Sequence, residues 1–289
     1  MRQRSISAIG VVIAGILPAL IGGPGWAIAV AFFTGVGLYE FNRLTDQAGG
    51  RTTHAGYVAV LGMCVVAAFG WSASITMLPL ALTVGLVLMV VLTRGNASGS
   101  LSAVAFDLAG ALYLAVPAFS AISLRRLDGS ISKDWLASTA DFLSPSWDAA
   151  ERGLAWLLFV IVVTWLSDTG AYLVGRSFGK TPLVPLISPK KTVEGLLGGL
   201  AAAILFGLLA NWLFGLGLPI LVAAGAALVL ALLGVVGDLA ESLLKRQAGV
   251  KDSGTLIPGH GGMLDRIDAL LFTWTAGLYL AQLCDRYWS

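Results

Sequence analysis

The sequence carries little charge. Asp, Glu, Lys and Arg make up 12% of its 289 residues, about half the share of an ordinary soluble domain. A water-facing surface cannot be built from so few charges, so a soluble globular protein is excluded. Cysteine is almost absent. Cys64 and Cys284 lie far apart, each in a long apolar run, which leaves no disulfide framework and no metal-binding spacing. They read as small buried apolar residues. With two histidines in the whole chain, no Ser/His/Asp triad can be picked out, and no thiolate nucleophile is evident, which argues against acyl transfer. The net charge of +2 says little about partners, and no nucleic-acid partner is expected.

What is present is hydrocarbon. Hydrophobic residues make up 57% of the chain and the mean hydropathy is +0.86. A helix needs about 20 mostly apolar residues to cross a bilayer core of about 30 Å. Such runs fall at about 6–22, 24–41, 56–71, 74–93, 102–120, 154–175, 194–214, 217–237 and 267–284. The expectation is an all-α polytopic membrane protein of about nine transmembrane helices. The first run follows Arg2 and Arg4 but has no good small-residue cleavage site, so it reads as a span and not as a cleaved signal.

Nine spans place the termini on opposite sides. With the N-terminus in the cytoplasm and the C-terminus outside, 13 of the 18 basic residues are cytoplasmic, and only Arg125, Arg126, Lys133, Arg152 and Arg286 lie outside. The positive-inside rule selects this orientation. Three regions follow: residues 1–120 with about five helices, a polar extracytoplasmic or interfacial connection at 121–153, and residues 154–289 with about four helices. Trp135, Phe142 and Trp147 suit a connection lying at the membrane interface, where aromatic rings settle.

The N-terminal region is bland apart from Asp107. In the C-terminal region the polar residues gather at the cytoplasmic ends of the spans. A charge inside hydrocarbon costs at least about 2.5 kcal/mol, so each needs a partner or a function. In "WLSDTGAYLVGRSFGK", Asp168 lies in a span with Tyr172 one turn further on the same face; it either pairs with a base to fix helix packing or serves the chemistry. In "ISPKKTVEG", Ser188 and Pro189 read as the N-cap and first residue of a helix. Lys190 and Lys191 then occupy its first turn, the wrong sign for the helix dipole. A bound anion would resolve the conflict; otherwise the lysines serve topology alone. Gly195, Gly198 and Gly199 read as close-packing positions in the span that follows.

In "GDLAESLLKR", Asp238, Glu241 or Ser242, and Lys245 share one helix face. Asp238 follows an uninterrupted apolar run, where a carboxylate is poorly hydrated. The stretch "KDSGTLIPGHGGMLDRID" is punctuated by Pro258, Gly259, Gly261 and Gly262, which let successive N–H groups face one concavity that suits phosphate. His260 stands in its middle. Asp265 and Asp268 open the last span. Asp265 and Asp238 offer oxygen ligands from two helices, the donor type a hard divalent cation such as Mg²⁺ requires. The chemistry expected is phosphate handling at the cytoplasmic face.

These segments carry a resemblance. "SLLKRQAGVKDSGTLIPGHGGMLDRID", with "SDTGAYLVGRSFGK" and "SPKKTVEG" before it in the same order, closely resembles the signature of phosphatidate cytidylyltransferases (CDP-diacylglycerol synthases), over about residues 165–270. The resemblance implies that CTP and phosphatidate are converted to CDP-diacylglycerol and pyrophosphate at the cell membrane, with Mg²⁺, a monovalent cation such as K⁺, and a homodimeric state in keeping with the family. The residues expected to carry the chemistry are Asp238, Asp265, Lys245, Lys251 and Asp268, with Asp238 and Asp265 on the metal. Ser188, Lys190, Lys191, Arg246, His260, Gly261, Gly262, Arg266 and Asp168 are expected to bind substrate. Two other readings stand beside this one. A CTP-dependent lipid kinase, or a cytidylyltransferase for another lipid phosphate, would use the same anion machinery. An organic-anion transporter would use Asp168 and Asp107 as a relay, although no internal repeat of the kind transporters show is visible.

Overall fold

The structure, a computed structural model, describes residues 13–95, 98–143, 151–256 and 261–288. It is a helical membrane protein. After helical residues 13–21 come α1 (Gly23–Gln47), α2 (Gly56–Phe69), α3 (Ala73–Thr93), α4 (Ser100–Arg125), α5 (Asp134–Leu143), α6 (Glu151–Phe178), α7 (Val193–Phe214), α8 (Ile220–Gln247) and α9 (Leu264–Trp288). Among the described residues six helices are long and apolar enough to cross a membrane: α3, α4 and α6 to α9. At 14 residues α2 is apolar but shorter. The expected apolar runs each fall on a helix, the eighth continuing ten residues past its expected end to Gln247, and residues 6–12 of the first lie outside the described residues. The expected 121–153 connection contains α5, whose Phe142 is exposed and whose Trp135 donates its indole N–H to Leu213 O at 3.2 Å. Trp147 lies outside the described residues.

One expectation is corrected. No helix starts at Ser188. Residues Pro182–Val184 (β1) and Ser188–Thr192 (β2) form a short antiparallel hairpin, with Pro182 opposite Thr192, Val184 opposite Ser188 and an irregularity between. The helix begins four residues later. Thr192 is the N-cap, extended at φ −124° and ψ 155°, and its Oγ1 accepts the N–H of Gly195 at 3.1 Å. The physical reason is the dipole. A start at Thr192 puts Glu194, not two lysines, in the first turn of α7, where negative charge is favoured. Glu194 in turn accepts the N–H groups of Lys180 and Thr181 and the Thr181 hydroxyl, tying the strand entering the hairpin to the helix leaving it. Pro189, lacking an N–H, is tolerated in a two-stranded ribbon, where each strand has an edge.

The chain forms two compact units that are each discontinuous in sequence. One comprises residues 1–18, 23–123 and 243–267. Here α1 packs on α2 and α2 on α3, around Ala59, Val60 and Met63, all buried. Trp26 on α1 donates to Ala121 O on α4 at 2.9 Å. Asp107, buried on α4, accepts the N–H of Thr53 at 3.0 and 2.8 Å through its two oxygens, so this membrane-embedded acid closes a backbone loop.

The other unit comprises residues 19–22, 124–242 and 268–289. Its helices meet through small residues, the usual way in a bilayer, where hydrophobicity alone does not drive helices together. A Cβ on Gly170 or Gly198 of α6 and α7 would overlap Ala202 or Val174 of the facing helix. Gly199 stands against Ala171 and Ser167 O. Thr164 and Thr273 hydrogen-bond at 3.1 Å between α6 and α9. Arg152 at the start of α6 pairs with Asp285 near the end of α9, its Nε 2.6 Å from Oδ1.

Candidate active site

In the unit that holds residues 124–242, α6, α7, α8 and the hairpin line an open cavity of about 520 Å³. Asp168 and Tyr172 face it from α6, as their shared helix face predicts, and Arg176 follows one turn later, donating to the Tyr172 hydroxyl at 3.0 Å. The hairpin strand β2 supplies Lys190 and Lys191, and α8 supplies Asp238. The lysines are therefore strand residues. They do not stand at a helix N-terminus; with Arg176 they put three cations on the cavity wall. Lys191 Nζ lies 2.6 Å from Asp238 Oδ2; Ser242 is a weaker neighbour of the same carboxylate at 3.4 Å. Both partners of the ion pair remain partly exposed, at 25% and 32%, so the pair contributes at most about 1 kcal/mol to stability. Ser188, at the opposite end of β2 from Thr192, is not among the cavity residues.

The second polar cluster lies in the unit that holds residues 243–267. Lys245, at the end of α8, places Nζ 2.7 Å from Asp265 Oδ1. The other oxygen, Oδ2, accepts from Ser253 N at 2.9 Å, Ser253 Oγ at 2.9 Å and Gly262 N at 2.8 Å. Gly261 has φ +80°, and a Cβ there would stand 2.6 Å from Asp265 Oδ2. A side chain would thus be strained by its backbone and would collide with the carboxylate. Lys251, Arg246 and Arg266 are exposed around this cluster. His260, with Pro258 and Gly259, lies outside the described residues. Asp268 belongs to the other unit, where its Oδ1 accepts the N–H of Ala269 at 2.8 Å.

The residue that sequence reasoning missed is Glu40. It sits on α1 at 3% exposure, and its carboxylate accepts from Met263 N, Leu264 N and the Ser253 hydroxyl. Two other residues were missed: Thr192 as the cap of α7, and Glu194 as the residue that fixes the hairpin. Among the described residues no group of three or more His, Cys, Asp or Glu side chains is gathered as a metal centre. Two carboxylate pairs are brought together: Asp168 and Asp238 line one cavity, and Glu40 and Asp265 each stand 2.9 Å from Ser253 Oγ.

Six helices of membrane-spanning length and a cavity that carries three cations and two carboxylates define the class: a helical membrane protein with a charged pocket suited to an anion. The chain belongs to the cytidylyltransferase family, whose model matches residues 2–284. It is 44% identical over 126 residues to the phosphatidate cytidylyltransferase of Staphylococcus aureus (strain COL), a match covering 44% of this chain and 48% of that protein. The phosphatidate cytidylyltransferase of Staphylococcus epidermidis (strain ATCC 12228 / FDA PCI 1200) is 45% identical over a stretch of the same length, with the same coverage. The matched stretch thus spans about half the length of these curated relatives.

Proposed function

We propose that this protein is a phosphatidate cytidylyltransferase, joining CTP and phosphatidate to give CDP-diacylglycerol and pyrophosphate. The observation that carries the reading is the cavity, in which Arg176, Lys190 and Lys191 face Asp168 and Asp238 in the C-terminal halves of two membrane-length helices. Membership of the cytidylyltransferase family and the names of the relatives support the choice of substrates.

In this reaction an oxygen of the phosphatidate phosphate forms a bond to the α-phosphorus of CTP. The bond from that phosphorus to the α,β-bridging oxygen breaks, and pyrophosphate leaves with the electron pair. A phosphate monoester has its second pKa near 6 and is mostly dianionic at neutral pH, so no side chain need remove a proton. The barrier to overcome is repulsion between a dianion and a triphosphate. Arg176, Lys190 and Lys191 lower it by fixing positive charge along the cavity wall before the phosphates meet. The same side chains hold the two phosphates in register for in-line attack.

Mg²⁺ is the proposed cofactor. It binds through one or two carboxylates together with substrate phosphates, and the paired acids of the cavity, Asp168 and Asp238, suit that donor set. Asp238 is the proposed ligand in this unit, with Asp265 the proposed ligand in the other; each now has a lysine ammonium against it. Bound there, the cation would neutralise phosphate charge. A cytoplasmic orientation of these residues is part of the proposal, supported by the distribution of basic residues. Incubation of the purified protein with CTP labelled in the cytidine, phosphatidate and Mg²⁺ tests the reading: label should move into lipid as pyrophosphate appears, and label that stays in water would refute it.

A further inference from the structure

Glu40 comes from α1, more than 210 residues before the signature-loop residues it touches. A carboxylate this deeply buried is tolerable only if hydrogen bonds replace its lost water, and Glu40 has three. Oε1 accepts from Met263 N at 3.0 Å, and Oε2 accepts from Leu264 N at 2.7 Å and from Ser253 Oγ at 2.9 Å. Met263 and Leu264 stand at the start of α9, where the first backbone N–H groups have no acceptor within the helix. A distant carboxylate thus does for α9 what an N-cap side chain does locally, with its negative charge at the favourable end of the dipole.

The next residue of α9 is Asp265. Its carboxylate takes the N–H groups of Ser253 and Gly262, and the Ser253 hydroxyl stands 2.9 Å from both acids, its one proton donated to one of them at a time. The backbone closes tightly around Glu40. A Cβ at Gly254 or Gly262 would overlap its carboxylate oxygens, so both positions require glycine for close approach.

We propose that Glu40 is a positioning residue for the transfer chemistry. By holding Ser253 and the first amides of α9, it fixes the direction of the Asp265 carboxylate and the contact of that carboxylate with Lys245. The N-terminal helices, bland by sequence, thereby contribute to the active site. This proposal rests on the reading of the protein as a phosphatidate cytidylyltransferase.

Glu40→Gln keeps the volume but offers one acceptor oxygen where two were used and turns an NH₂ toward a backbone donor. A site whose outer hydrogen-bond partner is lost typically falls about 10- to 100-fold in activity, and the fall should appear in kcat. KM for CTP and for phosphatidate should stay within about twofold, because the substrate-binding contacts are untouched. Glu40→Asp, which keeps the charge but draws it back by one methylene, should fall between. Trp26→Phe, on the same helix, loses the bond to Ala121 O and serves as the structural comparison: it should lower thermal stability and leave kcat unchanged.

Amide hydrogen exchange supplies a readout apart from turnover. In full-length protein, Glu40→Gln should speed exchange at residues 261–266 and leave the α6–α7 amides unchanged. Wild-type kcat in Glu40→Gln, or a loss of activity matching only the loss of folded protein in both Glu40→Gln and Glu40→Asp, would overturn the proposal. An inactive wild-type protein would instead overturn the functional reading. Exchange would then decide the positioning claim by itself, and unchanged exchange at 261–266 would refute it.

Discussion

Replacing Gly254 by alanine would put a methyl carbon into overlap with Glu40 Oε1, 2.8 Å from Glu40 Cδ and 3.2 Å from Gly262 Cα. Ordinary carbon contacts begin at about 3.5 Å, so the carboxylate must retreat by roughly an ångström. It cannot do so while still accepting from Met263 N at 3.0 Å and Leu264 N at 2.7 Å. Overpacking of a filled site costs about 1–3 kcal/mol, and a lost hydrogen bond to a charged group about 1.5–3 kcal/mol. The expected destabilisation is therefore about 3 kcal/mol, with partial relaxation keeping it below the sum of the two. Unfolding in detergent, followed by tryptophan fluorescence against denaturant, should show the shift. In the Glu40→Asp background the carboxylate is already withdrawn, so Gly254→Ala should cost less than half as much there. An equal cost in both backgrounds, or a cost under about 0.5 kcal/mol, the size of an ordinary surface substitution, would refute the claim that the loop is moulded on Glu40.

Thr192→Val should destabilise the protein by about 1 kcal/mol through loss of the N-cap bond to Gly195, whereas Ser188→Ala should be nearly silent; the reverse order would restore a helix start at Ser188. The double change Lys190→Ala, Lys191→Ala should raise KM for CTP or phosphatidate, or lower kcat, in protein that inserts normally, and unaltered kinetics would leave these lysines a role in topology alone. Asp238→Asn and Asp265→Asn should each lower turnover strongly and shift its Mg²⁺ dependence to higher concentration. Activity that is lost but indifferent to Mg²⁺ would assign the two carboxylates to their lysine ion pairs instead.

The helices were legible because the bilayer imposes a crude rule. A run of about 20 apolar residues has no folded option in lipid other than a helix or a closed barrel. The hairpin was not legible. Ser188-Pro189 reads as a helix start, whereas the helix starts at Thr192, and these four residues decide whether Lys190 and Lys191 belong to a helix or a strand. The charge of the first turn could have decided between them, since only the Thr192 start places Glu194 there. Asp168 and Asp238 were legible as candidates because isolated charges in apolar sequence are conspicuous, and the cavity assembles them with Tyr172, Lys190 and Lys191. Glu40 obeyed the same logic as Asp107, being an acid in an apolar run, yet it stands where that run ends and so resembles a helix leaving the membrane. Its partners lie more than 200 residues away, a pairing that periodicity and local spacing cannot reveal.

The central claim is cytidylyl transfer to a lipid phosphate. Its most direct measurement uses CTP labelled at the α-phosphorus, and in a parallel sample at the γ-phosphorus, together with phosphatidate in the same micelle as the purified protein. The account predicts that the α-label enters a lipid product in one-to-one proportion with released pyrophosphate. Label transferred from the γ-position instead would make the protein a CTP-dependent lipid kinase, and retention of every labelled phosphate in water would contradict phosphoryl transfer altogether.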